Sequence, residues 1–193
     1  FLFAIPLSSY IITIHYHNTL SQYIITIYCI MNKEEQRVNR RITNLFINGG
    51  GIAGISNGIG VLKFLNHEKT NPDTLVDFDN LTMIGASAGA GLSLLFMLEY
   101  TDEMLDNFWN TSNTELVAEK LINPFNVTKL VEHIISISFR GFSDEIIMRQ
   151  AKKWNLRIPI YDKTGTRFIS EFNTKQDIAH AIMCSSHIPP ISS

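Results

Sequence analysis

The chain has 193 residues and a mass of 21.9 kDa, with 45% hydrophobic and 18% charged residues. That is enough for one buried core, too little for two comfortable domains, and too apolar for a disordered segment. With 16 basic against 18 acidic residues the net charge is −2, which argues against a nucleic-acid binder that works by charge. Two cysteines, Cys29 and Cys184, cannot make a disulfide framework and no Cys/His cluster has zinc spacing, so a reducing compartment is expected.

No charged residue precedes Lys33. The opening segment still makes a poor membrane span, which needs roughly 20 apolar residues; here His15, Tyr16, His17, Asn18, Thr19, Ser21 and Gln22 interrupt the run. It has no basic n-region and no small-x-small cleavage site, so a secretory signal fits poorly too. Tyr10-Ile-Ile-Thr-Ile14 returns as Tyr23-Ile-Ile-Thr-Ile27, a composition suited to strands, and two copies are too few for a solenoid. Because the chain opens on Phe1 and ordinary composition begins at Met31, residues 1–30 are expected to be a non-native tail of translated upstream sequence. A membrane-associated tail and an authentic strand pair are the alternatives. Residues 31–42 read as a charged, solvated lead-in, and 43–193 as the domain, with no internal boundary.

Within that domain, Ile42–Asn48 is a short apolar run that ends at three glycines and predicts a buried strand. From Gly54 to about Asn66, Ile55, Ile59, Leu62 and Leu65 recur at helical spacing, and Gly58 and Gly60 within that stretch predict close packing against a neighbour. Leu81–Ile84 predicts a second strand, followed after Gly85–Gly89 by a helix over Ala90–Tyr100 that is apolar nearly all round, with Phe96, Met97 and Leu98 as core. Further helices are expected at about 114–122, 128–139 and 143–154, with Asn113 or Thr114, Thr128 and Ser143 as caps. Phe125, Phe139 and Phe142 read as core rather than as an acyl pocket. Ile158–Tyr161 and Arg167–Phe172 flank Lys163-Thr-Gly165 as a hairpin. Thr174 with Asp177 resembles a capping box opening a last helix to about Cys184, and Pro189-Pro190 ends it. Strands alternating with helices predict an α/β fold with a mainly parallel sheet. The triplets beginning at Asn110 and Asn126 match the glycosylation pattern but, with no signal peptide, read as chance.

Two glycine motifs carry chemistry. Gly49-Gly-Gly51-Ile-Ala-Gly54 follows a strand and opens a helix, which is the context of a dinucleotide fingerprint, and Asp77 or Asp79 could supply the ribose-binding acid. Gly85-Ala-Ser87-Ala-Gly89 lies between a strand and a buried helix, the context of a nucleophile elbow, where small neighbours allow the tight turn and the approach of a substrate carbonyl. A dinucleotide-binding domain has no use for such an elbow. Beside it, the N–H groups of Gly49, Gly50 and Gly51 could converge as an oxyanion hole, one donor of which lowers a barrier by about 3 kcal/mol.

In these residues the chain resembles the patatin-like phospholipases, whose pattern is a glycine-rich oxyanion loop, a G-x-S-x-G elbow some 35 residues on, and a catalytic aspartate in an Asp-Gly-Gly/Ala motif. Gly49–Gly54 matches the loop and Gly85–Gly89 the elbow. Ala181-Ile-Met-Cys-Ser-Ser-His-Ile-Pro-Pro190 is similar to the family's helix ending in a Ser-x-x-x-Pro stretch. The resemblance implies a three-layer α/β/α sandwich. It also implies a lipid acyl hydrolase of phospholipase A or acylglycerol lipase type, with Ser87 as nucleophile of a Ser–Asp dyad. No metal or nucleotide cofactor is required. The implied partners are a phospholipid or acylglycerol substrate and transient contact with a membrane or lipid surface, with no nucleic acid, and the implied location is cytoplasmic or membrane-peripheral.

Three departures stand out. Asn48 replaces the loop's usual Asp, Ala53 replaces its usual Arg, and no Asp-Gly dipeptide occurs. Asp144, Asp162 and Asp177 lack the motif and read as helix-start or turn residues, and His187 as structural. The expected reading is that the chain stops before the catalytic aspartate; a non-catalytic lipid-binding relative and a dinucleotide-binding protein are the alternatives.

Overall fold

The computed structural model describes residues 9–18, 21–30, 41–118, 127–162 and 165–186. Met31 and the charged lead-in as far as Arg40, the end of the helix expected to 122, Phe125 and Asn126, the turn residues Lys163 and Thr164, and the tail from His187 through Pro190 lie outside them.

The two repeated segments pair with each other. Strands β1 (Ser9–Asn18) and β2 (Ser21–Ile30) run antiparallel, with Thr13 opposite Thr26, and β2 meets β3 (Asn44–Ile47) antiparallel at Tyr28–Phe46. Within residues 1–30, these two segments thus form a strand pair on the edge of the sheet.

Strand β3 buries Leu45 and Ile47 and leads into α1 (Gly51–Glu68), which begins at the third glycine rather than at Gly54. As the spacing predicts, Ile55, Ile59, Leu62 and Leu65 face the core. Of the two helical glycines, Gly58 meets Leu92, 2.0 Å from the position its Cβ would take, while Gly60 faces open space. Strand β4 (Thr82–Gly85) is buried at every residue and pairs in parallel with β3, Asn44 with Thr82 through Ile47 with Gly85. It feeds α2 (Ala88–Met97), a helix at the centre of the core.

The next helix, α3 (Asp102–Ala118), starts well before the expected Asn113 or Thr114. Thr101 is the cap: its Oγ1 accepts from the Met104 N–H at 3.2 Å, and Asp102 and Glu103 fill the first turn. Leu105 and Phe108 bury its inner face. Helix α4 (Val127–Phe139) follows, then α5 (Asp144–Lys153), capped as expected by Ser143, whose side chain accepts from the Ile146 N–H at 3.3 Å. Asn155, at φ 43, ends α5 in the left-handed region that Asn tolerates, and its side chain donates to Thr82 Oγ1 at 2.9 Å. This turn lays Arg157 alongside Ile84 in a parallel bridge, so β4 has parallel neighbours on both sides.

Strands β5 (Ile158–Asp162) and β6 (Gly165–Ile169) form the expected hairpin. Helix α6 (Lys175–Ser186) opens on the expected capping box: Thr174 Oγ1 accepts from the Asp177 N–H at 3.2 Å, and Asp177 Oδ2 accepts from the N–H groups of Thr174 at 3.0 Å and Asn173 at 2.8 Å. Those two N–H groups hold the Asp177 carboxyl below its ordinary value. Helix α2 packs on α1, α4 and α6, and α6 packs on β5. The fold is a mixed α/β arrangement with a small parallel centre. The expected mainly parallel sheet holds at β3, β4 and Arg157, while the β1–β2 pair adds antiparallel steps at one edge.

Candidate active site

Parallel neighbours end at the same edge of a sheet, so the loops that follow them meet. Here Ile47 and Gly85 are partners at the carboxyl ends of β3 and β4, and the Ala86 N–H donates to the Ile47 carbonyl at 3.1 Å. The glycine loop and the serine turn are thereby brought together from positions far apart in the chain. A Cβ on Gly49 would lie 2.9 Å from Ser87 Cβ and 3.4 Å from Ser87 Oγ.

Each glycine of the serine turn answers to a specific crowding. A Cβ on Gly85 would lie 2.4 Å from Ser93 Oγ and 2.5 Å from the Gly89 carbonyl oxygen, and one on Gly89 would lie 1.9 Å from the Ile47 carbonyl oxygen. Strand, turn and helix are closer at this corner than any larger residue allows. Ser87 stands at the apex with φ 53 and ψ −125, the left-handed side of backbone space that a non-glycine residue enters only where its surroundings hold it. The Gly89 N–H to Ala86 and the Ala90 N–H to Ser87 close the turn into α2, each at 2.8 Å.

Two helix N-termini converge on this serine. Helix α2 begins directly after it and α1 begins at Gly51, while a Cβ on Gly54 would sit 3.8 Å from Ala88 Cβ. Neither helix has an acidic residue in its first turn, so both present their partial positive charge uncompensated by a carboxylate. Within the loop, the Gly49 N–H donates to Asn48 Oδ1 at 2.8 Å, and Gly51 takes φ 60.

One contact at the site was not foreseen from the motifs. The Ser87 N–H donates to Ser185 Oγ at 3.0 Å, across 98 positions of sequence. Ser185 belongs to the stretch resembling Ser-x-x-x-Pro, but the pairs Ser185–Ser186 and Pro189–Pro190 left open which serine mattered.

The candidate acids are engaged elsewhere: Asp144 pairs with Lys175 at 2.7 Å, Asp162 with Arg167 at 3.3 Å, and Asp177 caps α6. Asp77, a ribose-binding candidate, follows Val76, which bridges Ile42, two residues before β3. It therefore lies at the end of the strand opposite the glycine loop, and its carboxylate accepts from Asn80. Among the described residues no group of three or more His, Cys, Asp or Glu is placed to hold a metal ion.

The α/β arrangement thus sets a serine at the apex of a strand-to-helix turn, facing a glycine loop at the carboxyl edge of a parallel pair. A family model described as patatin-like phospholipase matches residues 45–193, most of the chain, and the chain belongs to that family. Membership points to a lipid hydrolase with lipid substrates. No curated protein and no solved structure matches the chain. Among the described residues no helix is long and apolar enough to cross a membrane.

Proposed function

We propose that the protein is a lipid acyl hydrolase of phospholipase A or acylglycerol lipase type, with Ser87 as nucleophile, within a three-layer α/β/α domain. The observation that carries this reading is the strained apex at Ser87, set against Gly49 and beneath two helix N-termini. Ser87 Oγ attacks the ester carbonyl carbon and its proton passes to the aspartate of the dyad. The tetrahedral oxyanion is held by backbone N–H groups of Gly49, Gly50 and Gly51, that of Gly49 after exchanging Asn48 Oδ1 for the substrate. Collapse expels the alcohol, which takes the proton back, and leaves an acyl-serine. Water then attacks the acyl carbon, giving its proton to the aspartate, and the fatty acid leaves as Ser87 Oγ is reprotonated. The resemblance implies an aspartate in an Asp-Gly-Gly or Asp-Gly-Ala motif as that base, and the sequence given holds no Asp-Gly dipeptide.

A lipid-surface contact fits the β5–β6 hairpin. Tyr161 is 82% and Phe168 53% exposed, and the strand register puts both on one face. Strand β5 leaves Arg157 beside Ile84 and runs parallel to β4, toward the edge that carries Ser87.

The test is labelling with a fluorophosphonate and release of fatty acid from phosphatidylcholine vesicles and triacylglycerol emulsions, on the full-length protein. Ser87→Ala is expected to abolish labelling and lower turnover by at least about a thousandfold. Labelling that persists in Ser87→Ala refutes the assignment. A wild type that binds the vesicles but neither labels nor hydrolyses favours the non-catalytic, lipid-binding relative.

A further inference from the structure

We infer that Ser185 is a positioning residue for the nucleophile, an inference that rests on the hydrolase reading of Ser87. Ser87 precedes the first turn of α2, so its own N–H has no partner within the helix. Among the described residues its hydrogen-bond partner is Ser185 Oγ, at 3.0 Å. The other bonds of the turn (Ala86 to Ile47, Gly89 to Ala86, Ala90 to Ser87) are backbone to backbone. Ser185 is thus the one side chain whose removal loosens the positive-φ apex without altering the turn itself.

The bond has two consequences. First, it ties α6 to the elbow. Helix α6 is anchored through buried Ile178, Ala181 and Ile182, and it packs on β5 and α2, so the docking of this late element sets the orientation of Ser87. Second, an N–H already donated to Ser185 is not offered to an oxyanion. That separates the tasks: α6 orients the nucleophile, and the donors for the developing charge come from the glycine loop.

The test compares wild type with Ser185→Ala, Ser185→Thr and Ser186→Ala, on the full-length protein, using a soluble p-nitrophenyl ester, fluorophosphonate labelling and thermal unfolding. Ser185→Ala is expected to lower kcat and the labelling rate together by about tenfold at nearly unchanged KM, since a small misplacement of a reacting atom is felt in the rate. Ser185→Thr, which keeps the accepting oxygen, is expected to recover most of that loss. Ser186→Ala deletes a hydroxyl from the neighbouring buried position on α6 and reports any general loosening of that helix; its kcat is expected to stay within about twofold of wild type. An active wild type with Ser185→Ala at wild-type rates overturns this inference alone, as does a loss that Ser186→Ala reproduces. A wild type that neither labels nor hydrolyses overturns the hydrolase reading and this inference with it.

Discussion

Replacing Gly89 by alanine tests whether the corner between β3 and α2 is as crowded as it is described. The added Cβ would stand 1.9 Å from the Ile47 carbonyl oxygen, 2.6 Å from its carbon and 2.7 Å from the Asn48 oxygen. All three are main-chain atoms of a paired strand end, so no side chain can rotate away. Overpacking of a core typically destabilises by about 1–3 kcal/mol when side chains share the adjustment. With backbone as the obstacle the upper end applies, and at roughly 2–4 °C per kcal/mol for a chain of this size the melting temperature falls by roughly 6–12 °C. Gly91, two residues on in the same helix, provides the internal reference. A Cβ there meets nothing within 4 Å, so Gly91→Ala gains helix propensity of about 1 kcal/mol and melts slightly higher. Circular dichroism melts of the two variants therefore move in opposite directions. The shift forced at Ile47 and Asn48 also carries Gly49 away from Ser87, so fluorophosphonate labelling slows in Gly89→Ala and not in Gly91→Ala. A Gly89→Ala protein that melts within about 2 °C of wild type and labels normally refutes the proposed interlock.

Two further outcomes follow from buried polar groups. The Tyr100 hydroxyl donates to the Ser138 carbonyl at 3.0 Å, and burial pushes its pKa from 10.0 to about 12. The unfolded chain releases this proton first, so the contribution of Tyr100 is complete below pH 10 and is lost as pH rises from 10 to about 12. Tyr100→Phe is expected to lower stability at neutral pH by about 1 kcal/mol and to flatten the decline of the urea midpoint across that alkaline interval; an unchanged slope contradicts it. Ser93 is fully buried beside Gly85, and among the described residues its hydroxyl has no hydrogen-bond partner. Ser93→Ala is accordingly expected to be neutral or stabilising by up to about 1 kcal/mol in urea unfolding, and a clear loss would show that the hydroxyl is satisfied.

The parts legible in the sequence are those whose cause is local. The Thr174–Asp177 box and the Ser143 cap need only four consecutive residues, and both form where the pattern puts them. The helix spacing of Ile55, Ile59, Leu62 and Leu65 is likewise set by the geometry of one element. Illegible parts depend on what docks where. Gly58 and Gly60 look alike in sequence, yet only Gly58 points at α2, because the direction of approach of that helix is a tertiary property. Helix α3 starts after Thr101 rather than at Asn113 or Thr114: Thr101 is an equally good cap next to the preceding helix, and Met104, Leu105, Phe108 and Trp109 carry the helical spacing back to it. The β-rich composition of the repeated Tyr-Ile-Ile-Thr-Ile segments shows in the sequence, whereas the edge they join, at β3, is set by tertiary packing.

The same division runs through the candidate site. Both glycine motifs could be found by eye because each is a single strand–turn–helix, and the parallel pairing of β3 and β4 then brings their loops together without further instruction. Ser87, however, holds a positive φ that a non-glycine residue does not choose by itself, and local sequence cannot supply all of that restraint. The remaining hold comes from Ser185, 98 residues away, and no spacing rule predicts a bond that exists only once α6 has docked. Reactivity at Ser87 is therefore expected to follow the integrity of α6: variants that weaken the Thr174–Asp177 cap, far along the helix from Ser185, should slow labelling in proportion to the loss of α6 order seen by hydrogen exchange. Labelling that stays constant while α6 frays would separate the elbow from its late-arriving support.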